Sequence, residues 1–449
     1  MKRNVGIKQI MSQMLEEVRG EPVTISELAS QRLGRATWLD AIREAAFDRF
    51  TAHGFPTPAK ETWKYTNLSG LSKLVLDRVR EKSVVAVEQV RLRESVLGGE
   101  KTSVELVFVD GHLERELSSR GELPGLTTIM PLSEALEAET NGLKESLMEQ
   151  ISDPLVDLNT SLFEDGAYIH IPAGIVISSP IHLVFLSSGQ GMSNPRVVIR
   201  ADGGSQVSVV ETFAGPRDSS YFTNAVTTIL AGNGSVIDHY RLQREGNEAF
   251  HISNLRIRQS RSSTVTSHVV SLGARLSRQQ IEAALQGEGA SVTLNGLFIL
   301  NGRQHADHNT IIDHQSPHSE SSEFYKGILD GQSRGIFDGK IIVRKDAQKT
   351  SSRQVNRNLL LSPTAIVDSK PQLEIHADDV KCNHGSTIGQ IDEDALFYMQ
   401  ARGIGSAEAR NLLMYAFASE VVERMKIEPV RDQLQTDLLQ RLGGGAGAL

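Results

Sequence analysis

The chain has 449 residues, 39% hydrophobic and 23% charged, a balance that supports a globular core and excludes a disordered polypeptide. No stretch approaches the ~20 consecutive apolar residues of a bilayer span, and Met1 to Arg19 carries Glu16 and Glu17 without the apolar run of a secretory signal. A cytoplasmic protein with no membrane partner is expected. Its net charge of -8, from 47 basic and 55 acidic residues, argues against a chain that grips nucleic acid through its overall charge.

Residues 1–150 read as a mostly helical domain with a small hairpin. Ile10, Met14 and Val18 stand at helical spacing, and a second helix runs from about Ile25 to Phe50. Gly54-Phe-Pro-Thr-Pro58 breaks it. Trp63, in Glu61-Thr-Trp-Lys-Tyr65, is expected to anchor a loop on the core. Val104–Val109 with Asp110-Gly111 reads as a strand entering a hairpin turn, and Ser133–Leu147 as a helix.

From residue 151 to 388 the pattern is β-rich. Strand-like runs begin at Gly204, Gly234, Ser263, Gly289, Arg334 and Thr364. Most of these starts are about 26 to 30 residues apart, with one gap of about 45, a period that fits stacked coils of a β-solenoid better than a β-sandwich. Gly331-Gln-Ser-Arg-Gly335 matches the serine-hydrolase pattern, but a strand-like run follows where that elbow requires a helix. Gly335 to Lys340 is one residue short of a phosphate-binding loop, and Ile341 stands where Ser or Thr is needed.

Two clusters carry metal-binding chemistry. His305, His308, His314 and His318 lie within one short stretch beside Asp307 and Asp313. A hydrogen-bonded histidine ladder is the commoner use of such a run, and a transient metal site the alternative. Cys382, the sole cysteine, excludes an intrachain disulfide and any multi-thiolate zinc or four-thiolate iron site within the chain. Cys382 and His384 are two apart, so in an extended segment they share a face and can jointly offer two soft ligands. Nearby Lys381 would lower the thiol pKa if it lay close. A buried, inert cysteine is the plain alternative. Two ligands are an incomplete set, and the remainder has to come from elsewhere in the fold or from a partner.

Residues 389–442 turn helical. Asp392-Glu-Asp394 opens one helix, which stops at Arg402-Gly403, and Ser406 caps the next. Leu412, Leu413, Ala416, Phe417 and Val421 form an apolar stripe on it. The glycine-rich tail, 443–449, is expected to be disordered.

Ser333-Arg-Gly-Ile-Phe-Asp-Gly-Lys-Ile-Ile-Val343, Gln354-Val-Asn-Arg-Asn-Leu-Leu-Leu-Ser362, Pro371-Gln-Leu-Glu-Ile375 and Ala377-Asp-Asp-Val-Lys-Cys-Asn-His-Gly385 resemble the SufB/SufD family of iron–sulfur cluster assembly proteins. The likeness is densest from about residue 300 to 420. With one cysteine, the chain is more similar to the SufD branch than to SufB, whose chains carry several. The resemblance implies a mainly β fold, a right-handed parallel β-helix with helical domains at both ends. It implies partners as well: SufB through the β-helix, and the ATPase SufC through the C-terminal helices. No cofactor would be stably bound alone, and iron or an iron–sulfur cluster would be held transiently in the complex. His384 would be the ligand or iron-entry residue, with Cys382 a helper. The stripe Leu412, Leu413, Ala416, Phe417 and Val421 would dock SufC, and an isolated chain could pair with a second copy. The alternatives are a SufB-like primary scaffold and, from another class, a polysaccharide-acting β-helix enzyme.

Overall fold

A computed structural model describes residues 37–71, 104–138, 143–148, 153–189 and 191–443. The expected helix around Ile10–Val18, the start of the helix at Ile25 and the tail from 444 lie outside the described residues. The Thr37–His53 part of the second helix is present.

The architecture is mainly β, 44% strand and 23% helix, a solenoid of about 8 turns. Each turn contributes one strand to each of two sheets. Gln206–Ala214, Val236–Arg244, Thr264–Ser271, Ser291–Leu300, Glu320–Leu329, Ser351–Leu360 and Lys381–Gly389 follow one another in the first sheet, every neighbour parallel. Arg196–Ala201, Phe222–Ala231, Phe250–Gln259, Leu276–Leu285, His305–His314, Arg334–Val343 and Ile366–Ile375 do the same in the second.

Identical faces stack from coil to coil, because strand side chains alternate with a period of two and the register is fixed. Ile169, Ile199, Ile229, Ile257, Ala283, Ile312, Ile341 and Leu373 form one continuous column of the interior. At the N-terminal end Phe108, Phe185 and Phe213 stack with ring centroids 5.1 and 4.9 Å apart. Val104–Val109 makes its hairpin with His112–Leu113 and also pairs in parallel with Ile181–Leu186, so it begins the first sheet.

The irregular gap in the sequence period has a structural cause. Gly289 precedes a strand of the first sheet, whereas Arg334 begins one of the second, about half a coil out of phase. The turn before successive first-sheet strands holds one left-handed residue: Gly204, Gly234, Ser262, Gly289, then His318 (φ 57°) and Lys349 (φ 62°). Glycine marks this turn in three of the first four of these coils, with Ser262 in the other, and a histidine and a lysine take it in the later two, hiding the repeat.

The N-terminal segment straps the outer face of the second sheet. Trp63 is buried, with the Arg278 guanidinium 4.0 Å from its ring centroid. Arg278 donates to the Thr62 carbonyl at 2.8 Å, Thr66 donates to Asp307 at 2.6 Å, and Lys370 pairs with Glu61 at 2.6 Å. With the Arg334 guanidinium 5.6 Å from the Tyr65 ring centroid, four consecutive coils are tied by one short stretch. The expected helix at Ser133–Leu147 divides into Leu132–Glu137 and Leu143–Met148.

Three helices close the chain: Glu393–Ala401, Ser406–Val422 and Glu428–Gly443. Asp392 caps the first, its carboxylate accepting from the Asp394 and Ala395 amides at 2.9 and 3.1 Å. At the second, Gly405 occupies the cap and Ser406 is already helical, so no side chain caps it. Met414, Ala418, Val421, Val422 and Met425, with Leu434 and Leu438 of the third helix, pack on outward residues of the first sheet such as Leu242, Leu297 and Ile328. Among the described residues no helix is long and apolar enough to cross a membrane.

Candidate functional site: the open end of the solenoid

Among the described residues the last coil is Ile366–Ile375 and Lys381–Gly389, each pairing on one side only in its sheet. Lys381–Gly389 is almost wholly exposed. Its unpaired edge offers backbone donors and acceptors to another chain.

Cys382 and His384 share one face of this strand, about 6.6 Å apart along it at the usual rise. They continue the inner columns of the coil before, registered on Ser352 and Gln354. Cys382 is half-buried against the interior cluster. Burial pushes its thiol up, opposed by a backbone hydrogen bond at Ser352. Lys381, the neighbour expected to lower that value, is one residue along and therefore on the other face. The His384 ring is exposed and makes no side-chain hydrogen bond among the described residues.

Beneath His384 runs a buried polar column that sequence reading did not find. Gln354 donates to the Glu323 carboxylate at 2.6 Å, and both are enclosed. Burial pushes Glu323 up to about 7, against a lowering hydrogen bond from Gln354. Beside it, Ser386 and Ser369 hydroxyls are 2.7 Å apart, and Ser369 donates to Asn356 at 2.7 Å, linking the two terminal strands across the interior. Gln354 stood inside a recognisable stretch, but its contact with Glu323 depends on a register 31 residues long.

The four histidines of the other cluster are dispersed. His305 and His314 are the first and last residues of one strand, which puts them about 30 Å apart. His305 bonds Thr66 at 2.9 Å on the outer face. His308 is enclosed, stacked on Phe298 at 5.1 Å, and burial holds it down at about 4. His314 is hydrogen-bonded to Ser319 and Ser321 at 2.7 and 2.9 Å, and burial holds it likewise at about 4. His318 is the exposed left-handed turn residue. Among the described residues no group of three His, Cys, Asp or Glu side chains is arranged to hold a metal ion.

The apolar stripe on Ser406–Val422 divides. Val421 is 0% exposed and faces the solenoid, so it cannot belong to an outward surface; Leu412 is 42% exposed, Ala416 is exposed, and Leu413 and Phe417 are half-buried. The helix is apolar on more than one arc, and spacing alone did not tell which arc turns inward.

Two family profiles cover nearly the whole described chain: the SufBD protein N-terminal region over residues 29–183, and the SufBD core domain of SUF system FeS cluster assembly over residues 184–417. The chain belongs to the SufBD family. It is 32% identical over 408 residues to an iron–sulfur cluster assembly SufBD family protein of Synechocystis, covering 88% of this chain and 89% of that protein. It is 31% identical to the iron–sulfur cluster assembly protein SufD of Escherichia coli, covering 88% and 90%, and 26% identical to that of Bacillus subtilis, covering 90% and 94%. A polysaccharide-acting enzyme is thereby set aside in favour of iron–sulfur cluster assembly.

Proposed function

We propose that this chain is a non-catalytic, SufD-type subunit of an iron–sulfur assembly scaffold. Through the open edge of its last coil it pairs with a SufB-type chain, and through its C-terminal helices it docks a SufC-type ATPase. Iron or the nascent cluster is the cargo, received at the junction of the two β-helices. The observation that carries this reading is the placement of His384: exposed, free of side-chain hydrogen bonds among the described residues, and on the same face as the chain's sole thiol at an unpaired sheet edge.

A neutral imidazole and a thiolate are soft-to-borderline ligands suited to iron. Two of them leave an iron site unfinished, which favours a partner that supplies further thiolates over a primary scaffold working alone. Cys382 is the weaker contributor, since burial favours its protonated form. The docking surface consists of Leu412, Leu413, Ala416 and Phe417, without the buried Val421.

Reconstitution of the complex with His384→Ala, followed by measurement of cluster formation, tests the ligand role. A sharp fall in yield with the complex intact is expected, and unchanged yield overturns it. Leu412→Asp tests the docking surface, where unchanged ATPase binding overturns that assignment.

A further inference from the structure

The outer face of the first sheet, behind His384, carries charge that neither the fold nor the proposed assembly role uses. Outward residues of two adjacent strands register as Phe324 with Val355 and Lys326 with Arg357, with Arg353 one step away beside Ser322. The end of the Ser406–Val422 helix crosses above them. Together they enclose a half-open pocket of about 170 Å³, floored by Phe324 and Val355 and walled by Arg353, Arg357, Arg424 and Glu420.

The wall is electrostatically unbalanced. Glu420 is taken by the fully buried Lys326 ammonium at 2.9 Å, which also donates to the Phe417 carbonyl at 2.8 Å. Arg357 reaches the same carboxylate only at 3.9 Å. Arg424 lies over the Phe324 ring at 4.0 Å and donates to the Glu420 carbonyl at 3.3 Å. Arg353 has no carboxylate partner among the described residues. The lining holds three guanidinium groups and two acidic residues. Glu420 is shared with Lys326, and the Glu323 carboxyl is buried and accepts from Gln354 on the interior side. The three arginines therefore face the pocket with positive charge in excess, in a chain whose net charge is -8. Partial burial holds the Arg424 guanidinium below its ordinary value, opposed by the Glu420 carboxylate and with a smaller lowering contribution from the Arg353 charge. A bound anion would relieve that repulsion.

We propose that this pocket binds a phosphate group, with Arg353, Arg357 and Arg424 closing on its oxygens from three sides above the Phe324–Val355 floor. Guanidinium forks match phosphate oxygens, and a dianion suits three positive charges better than a single carboxylate does. The volume corresponds to roughly five or six waters, enough for a phosphate with part of its hydration. It is below the ~300 Å³ at which sites for larger ligands begin. Arg424 belongs to the helical unit and Arg353 and Arg357 to the solenoid, so the anion bridges the two.

Inorganic phosphate titrated into the full-length chain by calorimetry, with chloride exchanged to hold ionic strength constant, tests the site. Saturable one-site binding is expected, weakened about tenfold by Arg353→Gln and by Arg357→Gln, each removing one charge-assisted contact. Both side chains are exposed, and circular dichroism checks that the variants fold. Arg303→Gln, which removes an exposed arginine outside the pocket lining, should bind as the parent does. A nucleoside monophosphate run in parallel distinguishes the source: tighter binding than inorganic phosphate supports the site with a larger ligand, equal affinity supports it with free phosphate. No saturable binding, or undiminished binding by both arginine variants, overturns the proposal. So does a glutamate-rich peptide that binds where phosphate does not, which would make the pocket a dock for an acidic segment.

Discussion

Glu323→Gln perturbs the polar column under His384 while keeping its shape. The parent carboxyl, pushed up to about 7 from an ordinary value of 4.5, keeps its proton in the fold through a range where the unfolded chain has lost it. Between those values the folded state binds more protons, so this group's contribution to stability is full below pH 4.5 and is lost as pH rises through about 7. At 1.36 kcal/mol per unit, the loss is on the order of 3 kcal/mol. Glutamine is nearly isosteric, still accepts from the Gln354 amide, and does not ionise. Urea denaturation of parent and variant, followed by far-ultraviolet circular dichroism at pH 5 and pH 8, isolates the effect. The two should be nearly equal at pH 5, and the variant more stable at pH 8 by up to about 3 kcal/mol. His308 and His314 shift stability in the opposite direction, but they are common to both proteins and cancel in the difference. Parallel pH profiles for the two proteins would refute the assignment of a buried, proton-holding Glu323.

Trp63→Ala should destabilise the chain by about 3–5 kcal/mol, because it empties a buried site and leaves Arg278 without its ring; thermal unfolding measures it. Val421→Asp should detach the C-terminal helices from the sheet, seen as faster amide exchange in Ser406–Val422, whereas Leu412→Asp should leave exchange there unchanged. His384→Ala should alter folding stability by no more than about 0.5 kcal/mol, as for an exposed side chain without contacts, so that any loss of cluster formation in the complex reports chemistry; a large drop in unfolding midpoint would contradict the exposed placement.

The solenoid was legible because each coil repeats one strand-and-turn pattern, and it became irregular where His318 and Lys349 took over a turn that Gly204, Gly234 and Gly289 had marked. The pairing of Cys382 with His384 on one face was legible too, since it needs only the two-residue period of a strand. What lay hidden depends on contacts between coils. Glu323 under Gln354, and Arg353 beside Arg424, come together through register and helix docking, which neighbouring residues do not encode. The apolar stripe failed at Val421 for a related reason: Met414, Ala418, Val421 and Val422 share a second arc, and only the sheet beneath decides between the arcs.

In the proposed function this chain offers an incomplete iron site whose remaining ligands come from a partner. Anaerobic reconstitution with iron and sulfide, comparing iron and sulfide bound per chain by the isolated protein and by its complex with a SufB-type partner and the ATPase, tests it most directly. Stoichiometric cluster in the complex, little on the isolated chain and a marked loss with His384→Ala are predicted. A full cluster on the isolated chain, or one in the complex indifferent to His384, would contradict it.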